Sequence, residues 1–536
     1  MPSTYAQPRY PFRPHPGGEE SAPVVIVGGG LVGLTAALDL AQRGLSVVLL
    51  DEDDTVSFGS RAICFAKRSL EIFARLGLGE KFLEKGITWN QGRVFFRSRE
   101  AYGFNLRPED GHEFPAFVNL QQYYAEQWLV EACMATGRVD LRWRSRVSGI
   151  ANSPDGALLT VDTPEGNYTL HAQWLLAADG ARSFIREALG LSFTGQVFRD
   201  RFLIADVLMN APFPSERCFW FDPPFHPGQS VLMHKQPDDV WRIDFQLGWD
   251  ADPELEKDPE RVRKRVTDML GPDMPFDLEW VSVYTFRCRR MERFRHGRVV
   301  FLGDAAHQVS PFGARGGNGG VQDADNLCWK LAAVLRGQAP DALLDSYDAE
   351  RILAADENIL NSTRSTDFIT PRNDAARAFR DAVLELAEHW AMARPLVNSG
   401  RLSRPSTLLG SPLNGPDEAP GRAPPGTPAP DAPVLRGGKP DWLLRHIGAD
   451  GRFTLLAREV TPVPLSGITT LILVDTPRPD PEGLSVLHDH SGLAAARYGL
   501  SPGECVLLRP DQHITARFTT AAPEPILAAR DKALAK

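Results

Sequence analysis

The chain has 536 residues, enough for several domains and a sizeable core, with 43% apolar and 24% charged residues. Its formal charge of −9, with no standing Lys/Arg cluster, argues against a nucleic-acid surface. No stretch is long and apolar enough to span a bilayer, and the six scattered cysteines lack CxxC or Cys/His ligand spacing, which points to a reduced, cytoplasmic protein without a structural metal.

The opening MPSTYAQPRYPFRPHPGGEES has no apolar core of the kind a secretory signal needs and is expected to be a flexible polar arm over 1–22. Val24–Val27 is a short apolar run of buried-strand type. Leu31–Arg43 then has helical periodicity, and Leu45–Asp51 is a second buried strand, so the three make one βαβ unit. Gly28-x-Gly30-x-x-Gly33 lies between the first strand and the helix. The first glycine permits the tight turn, the second lets backbone approach a pyrophosphate, and the third allows close helix–strand packing. The helix opening at Leu31-Val32 supplies partial positive charge. Asp51, followed by Glu52, sits where a carboxylate accepts hydrogen bonds from a ribose diol. Strand, helix, strand and acid together predict an adenine dinucleotide site.

Lys67–Leu76 is an amphipathic helix stopped at Gly77, and Gln122–Met134 is another helix. Leu175–Arg186, LLAADGARSFIR, reads as a buried strand that breaks at Asp179-Gly180 before a helix bearing Ser183 and Arg186. From Phe198 to Arg290 the runs SVLMHK and VWRIDFQLG, separated by QPDD, predict antiparallel sheet. Arg298–Gly303 returns to a buried strand. GDAAHQVSPFGARGGNGG then places Asp304 at the strand's end and glycines at 313, 316, 317, 319 and 320, where main-chain N–H groups can point at an anion or an electron-rich ring edge. Asp323 and Asn326 fall in the helix that opens there, where polar residues also serve as caps. Gly410–Pro440 is dense in Pro and Gly and reads as part of a linker, and the runs FTLLA, TTLILVD and ECVLLRP suggest a small separate α/β domain.

The ordered motifs GxGxxG, DGxxSxxR (Asp179 to Arg186) and GDAAH…P…GxN…DAxNLxWKL (Gly303 to Leu331) resemble those of the class A flavoprotein monooxygenases of the p-hydroxybenzoate hydroxylase type. The C-terminal PGECVLLRPDQHITARF is similar to the end of the phenol-hydroxylase-like members, such as the 3-(3-hydroxyphenyl)propionate hydroxylases. The resemblance implies an α/β fold in which a Rossmann-like FAD-binding domain (23–197 and 291–395) is interleaved with an antiparallel-sheet substrate domain (198–290). A linker (396–440) and a thioredoxin-like α/β domain without CxxC (441–536) follow.

The same resemblance implies FAD as cofactor, with NAD(P)H and O2 as co-substrates, and a C4a-hydroperoxide that delivers oxygen to a small phenolic aromatic substrate. Gly28, Gly30, Leu31, Val32, Gly33, Asp51 and Glu52 would hold the ADP half. Arg61 and Gln122 would contact the pyrophosphate or ribityl region, Gly303 and Asp304 the ribityl chain. The backbone of Gly316, Gly317 and Asn318 would face the isoalloxazine, with Pro311 beside the flavin and the substrate hydroxyl. Asp179, Gly180 and Arg186 belong to the motif linked to both FAD and NAD(P)H. Ala314-Arg315-Gly316 departs from the usual GQG, and Arg315 either favours an anionic flavin or substrate or projects to solvent.

Arg242, alternating with Asp244 and Gln246 on one strand face, is a candidate partner for a substrate carboxylate, against an ordinary ion-paired arginine. His234 and His226 are candidate acceptors of a phenol proton, against structural roles. His307 is expected to be scaffold, and Phe312 either lines the pocket or only packs. A polyketide or tetracycline-type monooxygenase shares these motifs, and a flavin-binding protein without turnover is the other alternative. A flavin halogenase lacks support because WxWxIP is absent. Homodimer formation is left open.

Overall fold

The structure is a computed structural model and describes residues 5–14, 19–59, 61–106, 109–398 and 404–536. Parallel pairing in one sheet sets its frame. β1 (Glu19–Val27) pairs in parallel with β2 (Val47–Leu50) on one side and with β3 (Gly166–Ala177) on the other. Val299–Phe301 pairs in parallel with β3. Val24, Val25 and Ile26 are fully buried, as are Leu34 and Leu40 of the following helix α1 (Leu31–Gln42). A strand covered on both faces must be apolar throughout, which is why these segments read as continuous runs.

The order of strands brings the distant motifs together. Gly28 donates to the Leu50 carbonyl, Ala178 to Val27 and Leu302 to Ala177, each at 2.9 to 3.0 Å. The chain therefore leaves neighbouring parallel strands at Gly28, Ala178 and Leu302, all at their carboxyl ends, where α/β sheets bind ligands.

A second, eight-stranded sheet carries β4 (Phe193–Leu208), β5 (Arg217–Phe221), β6 (Ser230–Lys235), β7 (Val240–Leu247) and β8 (Asp277–Met291), in the order β8-β4-β7-β6-β5. The hairpin Gln91–Asn105 extends it beyond β5, so the sheet draws on residues well outside 198–290. Register aligns side chains across it. His234 pairs with Arg242, Arg242 with Asp206, and Asp206 with Trp280. Arg217, one residue before the Cys218–Met233 pair, falls beside His234 at the end of that row.

Two expectations from composition do not hold. The polar arm is packed over residues 5–10: Tyr5 stacks on Tyr123 at 4.0 Å, Tyr10 stacks on Trp143 at 4.6 Å, and Gln7 Nε2 donates to the Val56 carbonyl at 2.6 Å. Its aromatic rings supply burial that polarity concealed. Residues 1–4 and 15–18 lie outside the described residues.

The Pro/Gly-rich stretch is a coat rather than a free linker over its described part. Leu408, Leu413, Ala423, Ala429 and Ala432 are buried, and Pro433–Arg436 and Lys439–Trp442 are already strands of the C-terminal sheet. Proline-rich backbone has few N–H donors to form a ladder. Its carbonyls are met by backbone N–H groups of the last strand, Ile514 to Thr427 and Arg517 to Pro416, and by the fully buried Arg517 side chain, which donates to Ala419 and Ala423 at 2.7 and 3.1 Å. The sheet beneath is mixed. Phe453–Arg458, Ile468–Val474 and Ser485–His488 run parallel, and Cys505–Leu508 and Ile514–Phe518 form an antiparallel hairpin on the first of them. No helix among the described residues is long and apolar enough to cross a membrane.

Candidate active site

A cavity of about 670 Å³ lies between the carboxyl-end edge of the parallel sheet and one face of the antiparallel sheet. Gly30, Leu31, Val32, Arg61, Gln122, Gly180, Asp304, Pro311, Gly316, Gly317 and Asn318 line it on the first side, and His234 and Arg242 on the second. Gly28, Gly33, Gly303, Asp51, Glu52, Asp179 and Arg186 do not line it.

The glycines divide by what a side chain would meet. At Gly28, with φ +108°, a Cβ would lie 2.4 Å from the Ala178 carbonyl oxygen, and at Gly33 2.0 Å from the Gly28 carbonyl oxygen. These two are glycine for the sake of the fold. At Gly30 a Cβ would meet only Glu126 at 3.7 Å, so its openness serves the cavity. Behind it, Glu126 accepts from Leu31 N–H at 3.0 Å, Ser57 N–H at 2.7 Å and Gln122 Nε2 at 2.7 Å. Gln122 Oε1 accepts from Ala62 N–H at 2.9 Å, which ties the Arg61 segment to the same helix, Gln122–Thr136. Glu126 lies outside the motifs legible in the sequence. Its only signal is a carboxylate one helical turn after Gln122.

Asp51 accepts from Gly29 N–H at 2.5 Å and Asp53 N–H at 2.8 Å, and burial pushes its carboxyl up to about 6. Glu52 is exposed and lies 3.8 Å from Arg146, away from the cavity, because successive residues beyond a strand end turn in opposite directions. Arg186 is buried against the Phe193 ring and donates to the Ala305 carbonyl at 3.2 Å, so it braces the Asp304 turn from behind. Asp179 accepts from Ile185 N–H at 3.0 Å and holds the turn that brings Gly180 to the cavity.

Asp323 accepts from Gly303 N–H at 3.0 Å, His307 Nε2 at 2.6 Å and Arg351 Nε at 2.6 Å. It is a buried pin on the Gly303 turn rather than a cap, and His307 is part of that scaffold. The Asp304 side chain is exposed to the cavity beside Gly316. Gly316 starts the helix α2 (Gly316–Leu335), whose Asn318 side chain clasps the Cys64–Ala66 strand: Nδ2 donates to the Cys64 carbonyl and Oδ1 accepts from Ala66 N–H. Ala314 just before it holds φ +53°, a conformation costing a non-glycine residue roughly 1–2 kcal/mol. Arg315 does not project to solvent. It is buried and donates to Asn358 Oδ1 at 2.8 Å.

On the sheet side, Arg242 donates to Asp244 at 2.7 Å and to the Arg61 carbonyl at 3.2 Å. Burial opposes its charge, but Asp244 and Asp206 outweigh this and hold it protonated. Arg217 also lines the cavity, is buried, and has no carboxylate within ion-pair distance among the described residues. Burial lowers its affinity for a proton, partly offset by Cys64 and Asp244. It, not Arg242, is the cation with charge to spare for a ligand. His234 lines the cavity and stays neutral, since burial and then Arg217 and Arg242 hold its pKa well below the usual value. His226 is outside the cavity with Nε2 2.7 Å from the Gln246 carbonyl oxygen. Phe312 lines the cavity and packs edge-on against Phe202 and Phe286.

The site fits a flavin dinucleotide. An open backbone approach at Gly30, a carboxylate facing the cavity beside Gly316, and a helix N-terminus at Gly316 lie along a single cavity wall, with the acid Asp51 at the end of β2 outside its lining. The FAD-binding-domain family profile matches residues 21–362. The chain belongs to this family of FAD-dependent monooxygenases. A 3-(3-hydroxy-phenyl)propionate/3-hydroxycinnamic acid hydroxylase of Mycolicibacterium smegmatis is 33% identical over 365 residues, which are 67% of this chain and 64% of that relative. A 6-methylpretetramide 4-monooxygenase of Streptomyces rimosus is 31% identical over 520 residues, 92% of this chain and 90% of that protein. The solved flavin-dependent monooxygenase PieE, in complex with FAD and substrate, superposes with TM-score 0.80 at 22% identity, covering 96% of this chain and 99% of its own, and shares the fold.

Proposed function

We propose that the chain is an FAD-dependent hydroxylase that consumes NAD(P)H and O2 to hydroxylate a phenolic aromatic substrate in the cytoplasm. The observation that carries this reading is the cavity itself, where the flavin loop Gly316–Asn318 and the Arg217–His234 pair of the sheet line one space. FAD, when bound, supplies electron transfer from the nicotinamide and activation of dioxygen.

The protein's own tasks are binding, orientation, proton handling and exclusion of water. Gly30, Arg61, Gln122 and Asp304 are placed to hold the cofactor. Phe202, Phe286 and Phe312 form an apolar wall that keeps water from the reacting centre. Arg217 attracts a phenolate or carboxylate, and His234 receives a hydroxyl proton.

A polycyclic, polyketide-type phenol is the second reading. It is favoured by the near full-length match to the 6-methylpretetramide 4-monooxygenase, whereas the phenylpropionate relative matches over less than two thirds of its own length. Purified protein should be yellow and release FAD on denaturation. NAD(P)H oxidation measured against phenolic acids and polycyclic phenols should rise with one class. Absence of flavin, or no stimulation by any phenol, would contradict the proposal.

A further inference from the structure

The cavity-facing imidazole of His234 is held by a hydrogen-bond chain that runs away from the cavity. Asn119 anchors it. Its Nδ2 donates to the Lys235 carbonyl at 2.8 Å, which leaves Oδ1 as acceptor. That oxygen receives the Trp89 indole N–H at 2.7 Å and the Cys64 thiol at 3.1 Å. An indole nitrogen only donates, and an amide oxygen has lone pairs for both partners.

With its hydrogen committed to Asn119, the Cys64 sulfur turns lone pairs toward His234 Nδ1, 3.8 Å away. A bare ring nitrogen there would face electron density with electron density, whereas an N–H is attracted. A neutral imidazole carries one proton, so placing it on Nδ1 leaves Nε2 bare. His234 is 4% exposed, and its Nε2 is buried without a protein partner. Arg217 lies in the adjacent strand.

We infer that Cys64 and Asn119 are positioning residues that fix His234 as the Nδ1–H tautomer, so that Nε2 accepts the proton of a substrate hydroxyl beside Arg217. The identity of the donor rests on the hydroxylase reading; the tautomer does not. In the step the substrate O–H bond breaks, its electron pair stays on oxygen, and an N–H bond forms at Nε2. The resulting phenolate faces the Arg217 guanidinium, and the imidazolium is its counter-charge.

Two measurements on the flavin-loaded full chain test this, with bound flavin absorbance confirming that each variant folds. Long-range proton–nitrogen NMR of ring-labelled histidine, assigned with His234→Gln, should show a protonated Nδ1 and a bare Nε2 for His234. Cys64→Ser keeps a donor to Asn119 and a lone pair for Nδ1 and should retain that pattern, while Cys64→Ala should give a mixture of tautomers. A protonated Nε2 in the wild type, or an unchanged spectrum in Cys64→Ala, overturns the positioning role. For the acceptor role, 4-nitrophenol is added below its own ionisation pH. The bound phenolate band should appear in the wild type and fall about tenfold in His234→Gln, as a one-unit change in pKa requires. No phenolate band in the wild type, or an equal band in the variant, overturns it. A correct tautomer with no phenol-stimulated NAD(P)H oxidation would fault the hydroxylase reading and leave the positioning intact.

Discussion

Arg509 Nη1, next after the strand Cys505–Leu508, lies 2.5 Å from Glu350 Oε1, and both residues are buried. Glu350 sits on the helix Asp345–Ile369 and also receives Lys330 Nζ of α2 at 2.7 Å. Nearby, Arg68 donates to Asp325 of α2 at 3.1 Å and to Gln512, in the turn of the C-terminal hairpin, at 2.9 Å. The helix that opens at Gly316 is thus tied through its buried charges to the C-terminal sheet.

Breaking one partner of a buried pair leaves the other charge uncompensated, at a cost of about 3–5 kcal/mol. Arg509→Met is therefore expected to lower the melting temperature sharply and to reduce bound flavin. A chain ended near Arg404 should fail to fold or to hold FAD. Calorimetry and flavin content check this, and a stable, fully loaded truncated protein would show that the last domain is dispensable.

The glycine turn separates fold from ligand. Gly33→Ala forces a Cβ into the Gly28 carbonyl and should lower stability whether or not FAD is present. Gly30→Val has space within the protein but intrudes on the cavity, so it should spare flavin-free stability and weaken FAD retention. Asp304→Ala should likewise weaken retention. Melting curves with and without added FAD distinguish the cases.

The two arginines of the sheet should part in the same way. Arg217→Met is expected to raise KM for acidic phenols roughly ten- to hundredfold, the worth of one charged hydrogen bond, and to leave folding nearly intact. Arg242→Met leaves Asp244 and Asp206 without their counter-charge and should act mainly on stability. Steady-state kinetics with paired acidic and neutral phenols decide between them, and equal KM changes for both phenols would remove Arg217 from the substrate contact.

Much of the flavin edge is legible in the sequence because each motif is local: a strand, a glycine or Asp-Gly break, and a helix start within about a dozen residues. Arg217 is not legible. In ERCFWFD it is one arginine without period, and its place beside His234 comes only from the strand register. The Cys64–Asn119 contact spans 55 positions and depends on how two short strands pair. Proline content suggests a free linker, but composition does not disclose that this stretch bonds along the last strand and that Arg517 gathers its carbonyls.

Asp51 links pH to both stability and cofactor. Its folded value of about 6 lies above the ordinary 3.8, because burial outweighs the Gly29 and Asp53 hydrogen bonds. An acid shifted upward binds its proton more tightly when folded. The flavin-free fold therefore has this stabilisation below 3.8 and loses it as pH rises through about 6. FAD affinity would run the opposite way if the ionised carboxylate holds the ribose hydroxyls, and it should then fall as pH drops through about 6. Flavin fluorescence titrations across this range should show the decline, and Asp51→Asn should flatten it. A wild-type affinity that stays flat would contradict the assignment.

Whether this cavity joins flavin to a phenolic substrate for oxygen insertion can be read from isotope transfer. Flavin-loaded protein is mixed with NAD(P)H, isotopically heavy dioxygen and a panel of phenolic acids and polycyclic phenols, and the products are weighed by mass spectrometry. One heavy oxygen atom is expected in a hydroxylated aromatic product, lost or strongly reduced in His234→Gln. NAD(P)H oxidation that yields only peroxide with every phenol, or protein that retains no FAD, would contradict it.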